Sequence, residues 1–249
     1  MNFIVCIKRV PTTEARIQVA ADGKSLNPQG VETVLSPYDE NAVEAALQLK
    51  EKLGGEVIAV TLDPDGNDTL LRNKLLPMGA DRAILIKGGS AFDSAMNAEI
   101  LAGVLKTLPH DVILFGKQAI DSDSYQVPSL VAHHLDLPRV NVVTKLEVVD
   151  KKAICRRQIE GGEEVVEVAL PCVISCQKGL NAPRLPSMKG IMAAKKKTVE
   201  VVAAPAASPR IEIVKMELPA ERPAGRIVGQ GVGAVKELVR LLREEAKVL

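Results

Sequence analysis

Over the first 140 residues, short runs of aliphatic side chains alternate with stretches whose apolar positions recur every three or four residues. The runs are Phe3–Ile7, Val57–Val60, Ala83–Ile86 and Val112–Phe115. Between them, Ser36-Pro37 opens a helix with Ala42, Ala45, Ala46 and Leu49 on one face, closed by Gly54-Gly55, and further helices are expected over about 66–77 and 94–107. Continuous apolar strands flanked by helices require a parallel sheet covered on both faces. The chain is therefore expected to be a doubly wound α/β domain of Rossmann-like type with a mostly parallel sheet.

From Arg139 to Cys176 the pattern changes to strands without helices, at about 140–149, 152–159, 163–169 and 171–176, with Glu160-Gly161-Gly162-Glu163 as a tight turn. An antiparallel extension of the sheet is the economical reading. Residues 179–194 then read as irregular, and residues 202–225 have the Ala/Pro composition of a linker. A last helix, from Ala234 to Leu249, puts Val235, Leu238, Leu241 and Leu242 on one face, which must fold back on this domain or pack on another subunit. The expected division is a nucleotide-binding unit over 1–203 and an arm over 204–249.

Composition removes several function classes. Lys+Arg 32 against Asp+Glu 31 leaves +1, too little for sequence-independent binding to nucleic acid. Three Phe, two Tyr and no Trp give almost no stacking platforms for bases. No apolar run approaches the roughly 18 residues of a membrane span, and Met1 leads directly into a strand-like run, so a cytoplasmic protein is expected, or a mitochondrial matrix protein in a eukaryote. Cys6, Cys155, Cys172 and Cys176 lack metal-ligand spacing and read as structural thiols. Gly229-Gln230-Gly231-Val232-Gly233 imitates a dinucleotide loop, but the second strand and acidic residue of such a unit are missing before Leu249, and a flexible connection is the better reading.

The segment richest in chemistry is Gly116, Lys117, Gln118, Ala119, Ile120, Asp121, Ser122, Asp123, Ser124, which leads from the fourth strand into a helix over Gln126–Leu135. Ligands of open α/β sheets bind at such strand ends, where strand order reverses and a helix N-terminus offers free N–H groups. Gly116 would let the backbone approach a ligand, and the serines and backbone amides are better phosphate donors than Asp121 and Asp123. Alternatively, Asp123 or Ser124 serves only as a helix N-cap. The segment is not a phosphate loop of the Gly-Lys-Ser/Thr type, and no base, nucleophile and oxyanion set accompanies it. A site that holds a nucleotide without consuming it is expected. Further on, Leu185, Met188, Ile191 and Met192 among prolines and glycines, followed by Lys195-Lys196-Lys197, suggest a partner-binding patch or a loop folded into the core.

These motifs, together with Val5–Val10, Ser36–Ala42, Met78–Arg82, Arg157–Ser175 and Leu180–Arg184, resemble the β subunit of electron transfer flavoproteins in order from Phe3 to about Val202. The resemblance implies a heterodimer whose α subunit carries the redox-active FAD. Such a dimer takes electrons from acyl-CoA dehydrogenases of fatty acid β-oxidation, or other flavin dehydrogenases, and passes them to a quinone oxidoreductase or another acceptor. It implies a structural AMP held by Cys6, Ser36, Pro37, Tyr38, Asp39, Leu62 and the run from Gly116 through Tyr125, Gln126 and Val127. Thr13 and Tyr38 match positions beside the α-subunit flavin. Arg184, Leu185, Met188, Ile191, Met192, Lys195 and Lys196 match a recognition loop that docks dehydrogenases, with Met188 in the place of an anchoring leucine. The C-terminal helix becomes an arm on the α subunit, and no catalytic residue is expected here. Electron-bifurcating members hold a second FAD in place of AMP. Arg9 and Thr12 in the run Ile7–Thr13, and Ser122, Ser124 and Tyr125 in the run from Asp121, depart from their motifs and favour AMP, whereas Gln126-Val127 matches them. Gln158 replaces a Glu that in many members pairs with an α-subunit Arg. A nucleotide-hydrolysing relative and a stand-alone nucleotide-binding module are the competing classes.

Overall fold

A computed structural model describes residues 1–90, 92–221 and 224–249. Seven parallel strands and an antiparallel hairpin make one sheet, in the order β11-β5-β4-β1-β6-β10-β7-β8-β9. In chain order these are β1 (Asn2–Ile7), β4 (Glu56–Asp63), β5 (Arg82–Lys87), β6 (Val112–Gly116), β7 (Arg139–Val149), β8 (Lys152–Ile159), β9 (Gly162–Ala169), β10 (Cys172–Cys176) and β11 (Val199–Ala203). A separate ribbon pairs β2 (Arg9–Pro11) with β3 (Thr33–Leu35) and closes the base of the loop between them.

Successive strand residues face opposite sides, so β1 divides its side chains between two cores. Phe3, Val5 and Ile7 pack under α1 (Pro37–Leu53) and α2 (Leu76–Met78), the latter continuing a π-helical turn, Leu71–Leu75. Ile4 and Cys6 pack under α3 (Ser94–Leu105) and α4 (Val127–Leu135). The start of α1 follows from its sequence: Pro37 supplies the helical φ at the first position, Asp39 and Glu40 face the positive end of the dipole, and Gly54 ends the helix.

Five expectations change. The helix expected over 66–77 begins later, because Asp63 Oδ1 accepts the N–H groups of Asp65 and Asn67 and holds that stretch as a turn. The fourth strand of the region after residue 139, β10, is not antiparallel; it returns into the sheet and runs parallel between β6 and β7, every residue buried. The irregular stretch contains a short helix, α5 (Met188–Ala194), and the linker composition hides β11 at the sheet edge. The rest of that linker has no regular element, and its residues 222 and 223 lie outside the described residues. The terminal helix is shorter, α6 (Val235–Glu244); none of its residues is buried, and Val235 and Leu238 are exposed, so its apolar face is not folded into this domain.

Candidate nucleotide site and partner segment

Strand order reverses between β1 and β6, and a cavity of about 350 Å³ opens beyond their carboxyl ends. It falls in the size range of small-molecule sites. Its floor comes from Cys6, Leu62, Phe115 and Gly116, one wall from the 117–128 segment, another from Ser90, Ser94 and Asn97, and a cover from Ile17, Leu26, Pro28 and Val31.

One carboxylate ties the strand ends together. Asp39 Oδ2 accepts from the Lys8 N–H (2.8 Å) and Oδ1 from the Gly116 N–H (3.0 Å). The first turn of α1 is thereby pinned to β1 and β6. Gly116 is needed for this contact: a Cβ there would lie 2.4 Å from Asp39 Oδ1 and 2.7 Å from the Asp39 nitrogen. The close approach expected for a ligand is thus made by α1. Burial pushes the Asp39 carboxyl up to about 7 against the two N–H bonds that lower it. The folded chain therefore keeps a proton that the unfolded chain, titrating at about 3.9, has lost. Stability should fall as pH rises from about 4 to about 7, and Asp39→Asn should flatten that slope in urea unfolding across a pH series; an undiminished slope would assign it elsewhere.

The other charges of the wall are paired. Lys8 Nζ meets Asp121 at 2.7 Å, Arg9 Nε meets Asp63 at 2.8 Å, and Arg9 Nη2 meets Asp65 at 2.8 Å. Lys117 Nζ stands 4.8 Å from the Tyr38 ring centre and 5.3 Å from that of Tyr125. Paired carboxylates no longer repel an anion strongly, and hydroxyl and amide donors are concentrated at Ser90, Ser94, Ser122 and Ser124, where the N-termini of α3 and α4 converge.

Asp123 and Ser124 are not the cap of α4. The N-cap position is Gln126, without a side-chain cap bond, and Pro128 removes one N–H from the first turn. Asp123 instead accepts from Gln118 Nε2, and Ser94 Oγ donates to Ser124 Oγ at 3.1 Å. With its amide nitrogen held by Asp123, Gln118 keeps its oxygen buried, without a hydrogen-bond partner among the described residues. A buried orphan acceptor in a cavity wall calls for a donor.

Of the residues expected at the site, Cys6, Asp39, Leu62, Gly116 to Ala119, Asp121, Ser122 and Ser124 to Val127 line the cavity. Ser36, Pro37, Tyr38, Thr13, Ile120 and Asp123 do not. Ser36 is buried behind the wall, its hydroxyl donating to the Gln118 carbonyl at 3.4 Å. The sequence reading missed the cover and the residues around Ser90 and Ser94. Its available signal was the length of the excursion between β2 and β3, because loops beyond about 12–15 residues are uncommon unless they have a task. The cysteines are all buried and unpaired, and burial raises the Cys155 and Cys172 thiols to about 12.

On the opposite side of the sheet, the partner segment is held at its roots and exposed at its tip. Arg184 grips α1 from above: Nε and Nη2 donate to Glu44 Oε2 (2.8 Å) and Oε1 (2.9 Å), and Nη2 also reaches Glu51 Oε2 (3.0 Å). Lys197 Nζ donates to the Ala80 carbonyl at 2.6 Å, and α5 rests on α2, with Gly190 against the Pro77 carbonyl. Between these anchors Leu185, Met188 and Met192 are 86 %, 77 % and 68 % exposed, and Ile191, Lys195 and Lys196 are exposed beside them. Arg184 is thus engaged within the chain, and the apolar tip is left exposed.

No helix among the described residues is long and apolar enough to cross a membrane. The family model for the electron transfer flavoprotein domain matches residues 24–207. The chain is 45 % identical over 226 residues to the electron transfer flavoprotein subunit beta of Syntrophomonas wolfei, covering 90 % of this chain and 88 % of that one. It is 39 % identical to the Bacillus subtilis protein of the same name, with both chains covered completely. It is 42 % identical to the caffeyl-CoA reductase-Etf complex subunit CarD of Acetobacterium woodii over 81 % of this chain and 78 % of that one. With its doubly wound fold and these likenesses over most or all of its length, the chain belongs to the electron transfer flavoprotein beta-subunit family, a family of electron carriers.

Proposed function

We propose that this chain is the structural half of a heterodimeric electron transfer flavoprotein, holding an AMP and docking flavin dehydrogenases while a companion α subunit carries the FAD. The observation that carries the nucleotide reading is the cavity at the strand-order reversal, with the Gln118 oxygen buried and lacking a donor. An adenine amine or a ribose hydroxyl supplies such a donor. Ser94, Ser122, Ser124 and the amides of the 122–127 turn suit the phosphate, away from the Asp39 carboxylate. Leu62, Leu101 and Phe115 offer apolar surface for the base.

The flavin supplies one- and two-electron chemistry when bound. The residues of this chain hold, orient and exclude water, and none is assigned a catalytic role. In this reading residues 1–203 form the nucleotide-binding unit, and 204–249 the arm that brings α6 to the companion chain. The apolar tip from Leu185 to Met192, with Lys195 and Lys196 beside it, contacts acyl-CoA or other dehydrogenases. Delivery is to a quinone oxidoreductase or a comparable acceptor, in the cytoplasm of a bacterium or the matrix of a mitochondrion.

Mass spectrometry of nucleotides extracted from the co-expressed heterodimer tests the assignment. One AMP and one FAD per dimer is expected. Two FADs would replace AMP by a second flavin in this cavity, and a dimer with no nucleotide beyond the single FAD would overturn nucleotide binding by this chain.

A further inference from the structure

The cavity's cover is the long excursion between β2 and β3. It is internally braced, since Asp22 accepts from Lys24 N, Ser25 N and Ser25 Oγ, and Val19 bridges Leu26. Its base is closed by the Thr12 N–H to the Glu32 carbonyl at 3.0 Å. A braced loop with a closed base can move as a unit about that base, unless something holds its tip.

The C-terminal arm does so. It leaves β11 with the Ala204 N–H on the Lys87 carbonyl (3.2 Å), and reaches the N-terminus of α3. There the buried Asp93 carboxylate divides its oxygens: Oδ1 caps α3 through Met96 N (2.9 Å), and Oδ2 accepts from Arg210 N (2.6 Å) and Ile211 N (3.2 Å). Arg210 Nη2 adds Glu99 at 3.1 Å. The arm then crosses to the tip of the cover, where Met216 N donates to the Gly23 carbonyl at 2.8 Å and Lys24 faces Glu212 at 3.9 Å.

We propose that residues 204–216 act as a strap that fastens the cover over the nucleotide cavity, with Asp93 as the buckle. A ligand that fills the cavity favours the closed cover, and by linkage a fastened strap favours the ligand in turn. This rests on the reading of the cavity as a nucleotide site.

The test uses the co-expressed heterodimer with two variants. Met216→Pro removes the donor to Gly23, and Asp93→Asn leaves one acceptor oxygen where there were two, so that Met96 N and the Arg210 and Ile211 amides can no longer all be satisfied. Hydrogen exchange of amides 13–31 should accelerate about fivefold or more in each, the effect of losing one or two hydrogen bonds, while β1 amides stay protected. Exchange of bound AMP against labelled AMP should accelerate in parallel. Unchanged exchange over 13–31 in both variants overturns the strap. If the parent dimer holds no AMP, the nucleotide reading fails, and amide exchange still decides the strap.

Discussion

Gly116→Ala is expected to be among the most damaging single-methyl additions this chain can receive. The new Cβ would meet Asp39 Oδ1 at 2.4 Å, the Asp39 nitrogen at 2.7 Å and the Tyr38 carbonyl carbon at 2.7 Å. Two of these are backbone atoms of the first turn of α1 and cannot rotate away. Relief requires α1 to slide off the ends of β1 and β6, which breaks the Asp39 bonds to Lys8 N and Gly116 N. Overpacking of this kind costs about 3 kcal/mol, or a Tm lower by roughly 6–12 °C for a chain of this size. The cavity floor moves with the helix, so bound nucleotide should be lost as well. Gly162→Ala, whose added carbon meets nothing within 4 Å, is the control and should leave both unchanged. An unaltered Tm for Gly116→Ala would mean that α1 is not fixed to the strand ends.

Arg184→Met is expected to free the partner segment. Glu44 is 3 % exposed, and without the guanidinium its carboxylate keeps the Gln48 amide at 2.8 Å and the backbone N–H of residue 184 at 3.2 Å but loses both guanidinium bonds. Leaving a buried carboxylate without its guanidinium costs about 2 kcal/mol here, below the usual range for buried pairs because two N–H bonds remain and Arg184 is itself one-third exposed to water. Glu44→Gln alongside Arg184→Met removes the stranded charge, so the double variant should recover part of the loss. Burial pushes the Glu44 carboxyl up, but the bonds from Arg184 and Gln48 outweigh it and hold the group below its ordinary value. The sign follows: the clamp is intact above the ordinary Glu value of about 4.3 and is lost as pH falls through the lowered one. Electron transfer from a dehydrogenase to the heterodimer should slow in Arg184→Met while the extracted nucleotides stay the same. A rate equal to that of the parent would separate the clamp from docking.

Much of this architecture was legible in the order of residues, for reasons that differ from element to element. The four buried strands of the first 140 residues announce themselves because both faces are covered, leaving runs with no polar interruption. β10 is equally apolar, but its neighbours are chosen by long-range pairing, so its parallel insertion between β6 and β7 leaves no local trace. β11 fails the pattern for another reason: at the sheet edge Glu200 and Val201 face solvent, and the strand merges into Ala/Pro-rich chain. At the candidate site, residue types on the 116–127 segment indicated where a ligand would lie. They did not say that Gly116 serves α1, that Asp123 serves Gln118, or that the cover comes from residues 17–31, because each depends on which distant segment the fold brings near.

Lys117 lies between Tyr38 and Tyr125, which are the only two tyrosines in a chain with no tryptophan. Tyrosine absorption and emission from this polypeptide therefore originate at a single address, the rim beside the cavity. The molecule carries its own optical probe there, one that needs no label and is blind to the rest of the fold.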